Sequence, residues 1–175
     1  MGARLDGMPI FYLGVLAFFS VLAIKVQQIF APSESVWGRI PGRDALLLAL
    51  AVLLMQGGWH WLGWEHRTIA DGVGVMALLA IIVIGPIFEE VLFRGLAFKA
   101  FSFGPGRTTV VLQIALSSVA FAAYHTDYWG SWSLWLALVA GVIFGIARHR
   151  SGGILLPILL HALMNGIALG VSVFI

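Results

Sequence analysis

The stretch IGPIFEEVLFRGLAF, Ile84 to Phe98, holds two adjacent glutamates, Glu89 and Glu90, and an arginine, Arg94, in a run that is otherwise almost entirely apolar. On a helix Glu90 and Arg94, four residues apart, share a face, while Glu89 projects about 100° away. The arginine can therefore pair with one carboxylate and leave the other free to react, which makes Glu89 the candidate base. Two more pairs have the same spacing: Phe121 with His125 in FAAYH, and His161 with Asn165 in HALMN. Two carboxylates, an arginine, two histidines and an asparagine form a set that can activate a water and stabilise an oxyanion.

Each of these residues also has a purely structural reading. Glu90 with Arg94 can be a buried ion pair that only fixes packing. His125 borders the loop sequence HTDYWG and can be an interfacial residue, and His161 with Asn165 can hydrogen-bond neighbouring helices together. Glu89 is different, because it has no second cation nearby in sequence, and an ionisable residue inside an apolar span is a functional candidate by default. Gly141 and Gly145, with Ala137 one turn before, form a small-residue stripe suited to close helix packing. Gln113, His60, His66 and His149 carry no functional claim.

The elements that must position these side chains follow from composition. The chain has 175 residues, 61% hydrophobic and 10% charged, which is a membrane-protein composition. A bilayer core about 30 Å thick is crossed by ~20 apolar residues, and six runs qualify: Pro9 to Phe30, Asp44 to Trp64, Val73 to Phe101, Thr108 to His125, Trp132 to Ala147 and Ile154 to Ile175. The expected fold is all-α, a polytopic membrane helical bundle of about six transmembrane helices. It forms one domain over residues 1–175, with Pro-kinked helices around a central polar cavity. The third run, roughly 43 Å long as a helix, must tilt or break, and Gly85-Pro86 is the natural place. Pro157 stands ahead of His161 as a second expected kink. For His125 to reach a site shared with His161, the fourth helix is expected to run on past Thr126 towards Trp129.

Other features narrow the function. With no cysteine, disulfides, thiolate metal sites and cysteine nucleophiles are excluded. A net charge of +2 without a basic block gives no sign of nucleic-acid binding. The first run lacks an A-x-A-like cleavage site and reads as an uncleaved span, and Asp6 argues against N-terminal lipidation. Arg39, Arg43, Lys99, Arg107, Arg148 and Arg150 fall on one side of the expected topology, against Arg4 and Arg67 on the other. The richer side is cytoplasmic, so both termini are expected outside. Lys25, near the end of the first run, can snorkel to the interface.

EEVLFRG, FAAYH and HALMN, in that order, resemble the EExxxR, FxxxH and HxxxN/D motifs of the CAAX protease and bacteriocin-processing family, type II CAAX prenyl endopeptidase-like proteins also called Abi. The resemblance covers about Pro86 to Gly166. It implies an intramembrane endopeptidase of the glutamate type in the cytoplasmic membrane of a prokaryote. In it Glu89 is the general base on a water held jointly with His125, His161 and Asn165 form an oxyanion hole, and Glu90 and Arg94 support and orient. The implied partners are the lipid bilayer and a membrane-associated peptide or C-terminal tail. A prenylated tail, a sorting tail, a leader peptide and a bacteriocin all remain open, although six runs are fewer than the eight spans of the eukaryotic prenyl-protein proteases. No cofactor is expected. Zinc bound by Glu89, His125 and His161 is the alternative, disfavoured because no H-E-x-x-H or other two-histidine helical spacing occurs. Two other classes stay in view: a proton-coupled transporter using Glu89, Glu90 and Arg94 as a relay, and a non-catalytic immunity or scaffold protein. The pair His161 and Asn165 discriminates, since an oxyanion hole requires it and a proton relay does not.

Overall fold

Among the described residues, apolar runs punctuated by glycine and proline fold into helices. The computed structural model describes residues 35–62, 75–128 and 130–174, with residues 14, 17–22, 24, 25 and 28 of the first apolar run. Most of that run, together with Arg4, Asp6, Trp64, His66, Arg67 and Trp129, lies outside the described residues. Among the described residues every regular element is helical and there is no strand. Helix α1 spans Gly42–Trp61, α2 is a continuous helical stretch over 75–100, α3 spans Arg107–Tyr124, α4 spans Ser133–Ser151 and α5 spans Leu155–Phe174. Among the described residues α3 and α4 are the two helices long and apolar enough to cross a membrane, and the apolar stretch Leu155–Gly170 of α5 is shorter.

The expected break in α2 takes another form. Its α-helical pieces, Val75–Leu79, Gly85–Glu90 and Phe98–Ala100, alternate with two wider π-helical segments, Ala80–Ile84 and Val91–Ala97. The Gly85 N–H reaches back five residues to the Ala80 carbonyl. A β-carbon at Gly85 would stand 3.0 Å from that same oxygen, so glycine permits the bond. Pro86 has no N–H to give and its ring crowds the preceding turn, and the widened turn absorbs both effects without ending the helix. Pro157 causes no kink either, because it is the third residue of α5, where the backbone N–H has no helical partner to lose. At the other end of the expected fifth span, the helix continues four residues beyond Ala147. Arg148 and Ser151 are buried there, and the helix stops only at Gly152, whose left-handed φ of 70° turns the chain.

Packing follows the small-residue stripe. A β-carbon on Gly141 would lie 3.0 Å from Ser118 Cα, and one on Gly145 would lie 3.1 Å from Ile114 Cγ2, so α3 and α4 approach backbone to backbone. Phe93, Phe121, Phe144, Leu156 and Leu160 fill the space between α2, α3, α4 and α5, and Val52 of α1 joins them. The segment before α1 closes the bundle: Ile154 donates its N–H to the Val36 carbonyl at 2.9 Å, and Arg39 donates to the Ser151 carbonyl at 2.9 Å. Gly38 and Gly153 meet there so tightly that neither has room for a β-carbon. The outer faces expose Val111 and Val119 of α3 and Val139 and Val142 of α4, the apolar exterior that a lipid environment accepts.

Candidate active site

Four helices bring the candidate residues together. Glu90 and Arg94 are fully buried, and Arg94 Nη1 donates to Glu90 Oε1 at 3.2 Å. Arg94 Nη2 donates to the Gly141 carbonyl of α4 at 2.9 Å. The guanidinium lies over the rings of Phe121 and Phe144, 4.6 and 5.4 Å from their centroids, where the aromatic faces favour a cation. The ions are paired and hydrogen-bonded through Glu90 Oε1 and both Arg94 Nη atoms, whereas Glu90 Oε2 and Arg94 Nε, also buried, meet no partner among the described residues, so the desolvation cost is only partly offset.

His161 of α5 stands between the two glutamates. Its Nδ1 is 2.9 Å from Glu90 Oε1, and its Nε2 is 3.8 Å from Glu89 Oε2. The ring stacks on Phe144 at 5.0 Å and meets the edge of Phe121 at 5.6 Å. Since the Glu90 carboxylate already accepts from Arg94, it accepts from His161 Nδ1–H as well, which turns His161 Nε2 towards Glu89.

His125 arrives by an unexpected route. The fourth helix does not run on towards Trp129: α3 ends at Tyr124, His125 leaves helical geometry with ψ 63°, and a 3₁₀ turn over Thr126–Tyr128 follows. Release from the helix lets the imidazole fold back, and its Nδ1 lies 2.8 Å from the Phe121 carbonyl. A carbonyl only accepts, so Nδ1 carries the hydrogen and Nε2 faces Glu89. That nitrogen is 3.7 Å from Glu89 Oε2. Phe121 is the common wall, with its ring 4.6 Å from that of His125.

Among the described residues Glu90 Oε2, like Glu89 Oε2, is buried without a donor, so what distinguishes Glu89 is that no arginine pairs with it. Two imidazole nitrogens flank Glu89 Oε2 just beyond hydrogen-bonding distance. The zinc alternative bears on the same three side chains. Zinc holds nitrogen and oxygen donors at about 2.0–2.2 Å, which puts neighbouring donors about 3.4 Å apart in a tetrahedron, whereas the Glu89–histidine separations are 3.7 and 3.8 Å. Among the described residues no group of three or more His, Asp or Glu side chains is arranged to hold a metal ion.

Asn165 lies one turn beyond His161 on α5, and its Nδ2 donates to the Ile81 carbonyl of α2 at 2.9 Å. Two contributors escaped the sequence reading. Phe144 supplies the stacking face for His161. Arg148, assigned to a cytoplasmic loop, is buried in α4 and donates from Nε to the Arg94 carbonyl at 2.9 Å. A signal for Arg148 did exist, because it falls three residues after Gly145 and so continues the face of Ala137, Gly141 and Gly145.

Known proteins match this same region. A family model described as Rce1-like, Type II CAAX prenyl endopeptidase Rce1-like, matches residues 71–167. Over 87 residues the chain is 38% identical to an Escherichia coli protein described as "Uncharacterized 24.3 kDa protein", covering 50% of this chain and 40% of that one. Over 101 residues it is 31% identical to the "Putative membrane peptidase YdiL" of Bacillus subtilis (strain 168), covering 57% of this chain and 39% of that one. The matched stretch thus spans about two fifths of the length of these relatives. No solved structure matches the chain at a significant level.

Proposed function

The chain belongs to the Rce1-like family of type II CAAX prenyl endopeptidases, a membrane peptidase family, and from that premise we propose that it is an intramembrane endopeptidase of the glutamate type. Its reaction is hydrolysis of a peptide bond in a membrane-associated peptide or protein tail. One observation carries the reading: Glu89 Oε2, buried and without a donor among the described residues, faces the Nε2 atoms of His125 and His161 at 3.7 and 3.8 Å.

In this mechanism a water held by Glu89 and His125 loses a proton to Glu89 as its oxygen bonds to the substrate carbonyl carbon. The carbonyl oxygen becomes an oxyanion; in this scheme His161 starts protonated at both ring nitrogens, Nδ1–H donating to Glu90 and Nε2–H donating to the oxyanion, and it keeps both protons throughout. When the C–N bond breaks, Glu89 returns its proton to the leaving amine. Arg94 holds Glu90, and Asn165 enters through the helix it grips. The reaction as proposed uses no metal. The surroundings are the cytoplasmic membrane of a prokaryote, crossed by six spans with both termini outside.

The test is cleavage by the purified full chain in lipid nanodiscs. The probes are two quenched-fluorescence peptides, one ending in a farnesylated CAAX tail and one in an unprenylated apolar tail. Glu89→Gln keeps the shape and removes the base, so cleavage falls by about 10²–10⁴-fold while the thermal midpoint is kept. Near wild-type cleavage by that variant overturns the mechanism, and a wild type that cuts neither probe nor any membrane peptide in cells overturns the activity. Cleavage also survives chelation, with less than stoichiometric zinc by elemental analysis. A stoichiometric zinc whose removal abolishes cleavage would replace the metal-free site.

A further inference from the structure

The two π-helical segments of α2 lie on either side of the six-residue α segment Gly85–Glu90 that ends in the two glutamates. Each leaves a carbonyl without its α-helical donor. At the first, the Gly85 N–H goes to Ala80, so the Ile81 carbonyl loses its partner four residues on, and its partner five residues on is Pro86, which has no N–H. At the second, the Phe98 N–H goes to Phe93, and the Arg94 carbonyl loses its partner four residues on. Both carbonyls are served from other helices, Ile81 by Asn165 Nδ2 of α5 and Arg94 by Arg148 Nε of α4, each at 2.9 Å.

We propose that Asn165 and Arg148 are positioning residues: each holds open one π-turn of α2, and together they fix the rotation at which Glu89 and Glu90 meet His125 and His161. The physical ground is that an unsatisfied buried carbonyl carries a desolvation penalty that drives the helix back to regular α-helical pairing. Such a return would turn the segment between the π-turns about its axis by part of a turn. The catalytic consequence rests on the reading of Glu89 as the base. The bonding pattern does not.

The sequence allows each carbonyl to be read alone. Ile81-Ile82 is its one Ile-Ile step and Arg94-Gly95 its one Arg-Gly step, so pairwise labelling (¹³C-carbonyl on the first residue, ¹⁵N on the second) gives a single amide correlation for each site. In full-length protein in detergent micelles, Asn165→Ala moves the Ile81 carbonyl resonance upfield and leaves that of Arg94 in place, and Arg148→Met does the reverse. Resonances that stay put in both variants overturn the inference, whether or not any peptide is cut.

The second arm addresses catalysis. Asn165→Ala lowers kcat by roughly tenfold to a hundredfold, the penalty of a small misplacement of the base, with KM within about twofold of wild type. Pro86→Ala restores an N–H within reach of the Ile81 carbonyl, so Pro86→Ala/Asn165→Ala recovers much of that loss, where a group acting directly on the oxyanion would gain nothing. Arg148→Lys, which keeps a donor, retains more kcat than Arg148→Met. Strict additivity of the Pro86 and Asn165 effects overturns the positioning role, even if the carbonyl shifts are seen. Absence of any cleavage by wild type refutes the peptidase reading and leaves the resonances to decide the rest.

Discussion

Phe121 shows how much chemistry can hang on one apolar side chain. It lies under the Arg94 guanidinium, against His125 and at the edge of His161, so one ring sets three polar groups at once. The i, i+4 spacing made its shared face with His125 legible, but not that the ring also serves α2 and α5. Glu90 is similar: its pairing with Arg94 was readable from spacing, whereas its bond to His161, 71 residues on, was not. At this scale the prediction concerns an uncompensated charge. Glu90→Gln leaves Arg94 buried without its counter-ion, and Arg94→Met does the same to Glu90, so each destabilises the fold by about 3–5 kcal/mol. The shift is measured as a loss of thermal midpoint in detergent. Glu89→Gln, which breaks no ion pair with Arg94, shows no comparable loss.

Among the elements, α3 and α4 act as one unit because the stripe on α4 lets their backbones touch. The consequences of adding a methyl group there differ by position. On Gly141 it meets Ser118 backbone at 3.0 Å, while on Gly145 it meets the γ2 methyl of Ile114 at 3.1 Å and the Ile114 Cα at 3.4 Å. Gly141→Ala therefore costs about 1–3 kcal/mol through overpacking, and it also displaces the carbonyl that holds Arg94. Gly145→Ala is milder, since the backbone it meets lies at ordinary contact distance and a few tenths of an ångström of movement relieves the methyl. Thermal unfolding of the two variants side by side checks the order, and equal losses contradict it. Gln113, to which the sequence attached no role, donates to the Phe98 carbonyl at 2.9 Å and helps to secure the far end of α2. The length of α2 signalled that something must give at Gly85-Pro86. That the answer was a π-turn and not a break depended on a donor from α5, which no local pattern encodes.

For the molecule as a whole, the lack of cysteine makes topology directly measurable. If the proposed topology of six spans with both termini outside holds, Ser102→Cys in the α2–α3 loop is labelled by a membrane-impermeant thiol reagent only from the cytoplasmic face. Thr126→Cys, beyond α3, is labelled only from the other face, and the reverse pattern inverts the orientation argued from Lys and Arg counts. The same chain divides cleanly by the range of the forces involved. Helix-forming apolar runs, the membrane composition, the small-residue stripe and the three polar motifs are all visible in the amino-acid order, because each rests on contacts within a turn or two of one helix. Which polar atoms meet was decided elsewhere. Glu89 between His125 and His161, Asn165 on Ile81 and Arg148 on Arg94 all depend on how far each helix is rotated and offset against its neighbours. That rotation is set by glycine contacts and by π-turns whose unpaired carbonyls are satisfied only once the other helices have packed.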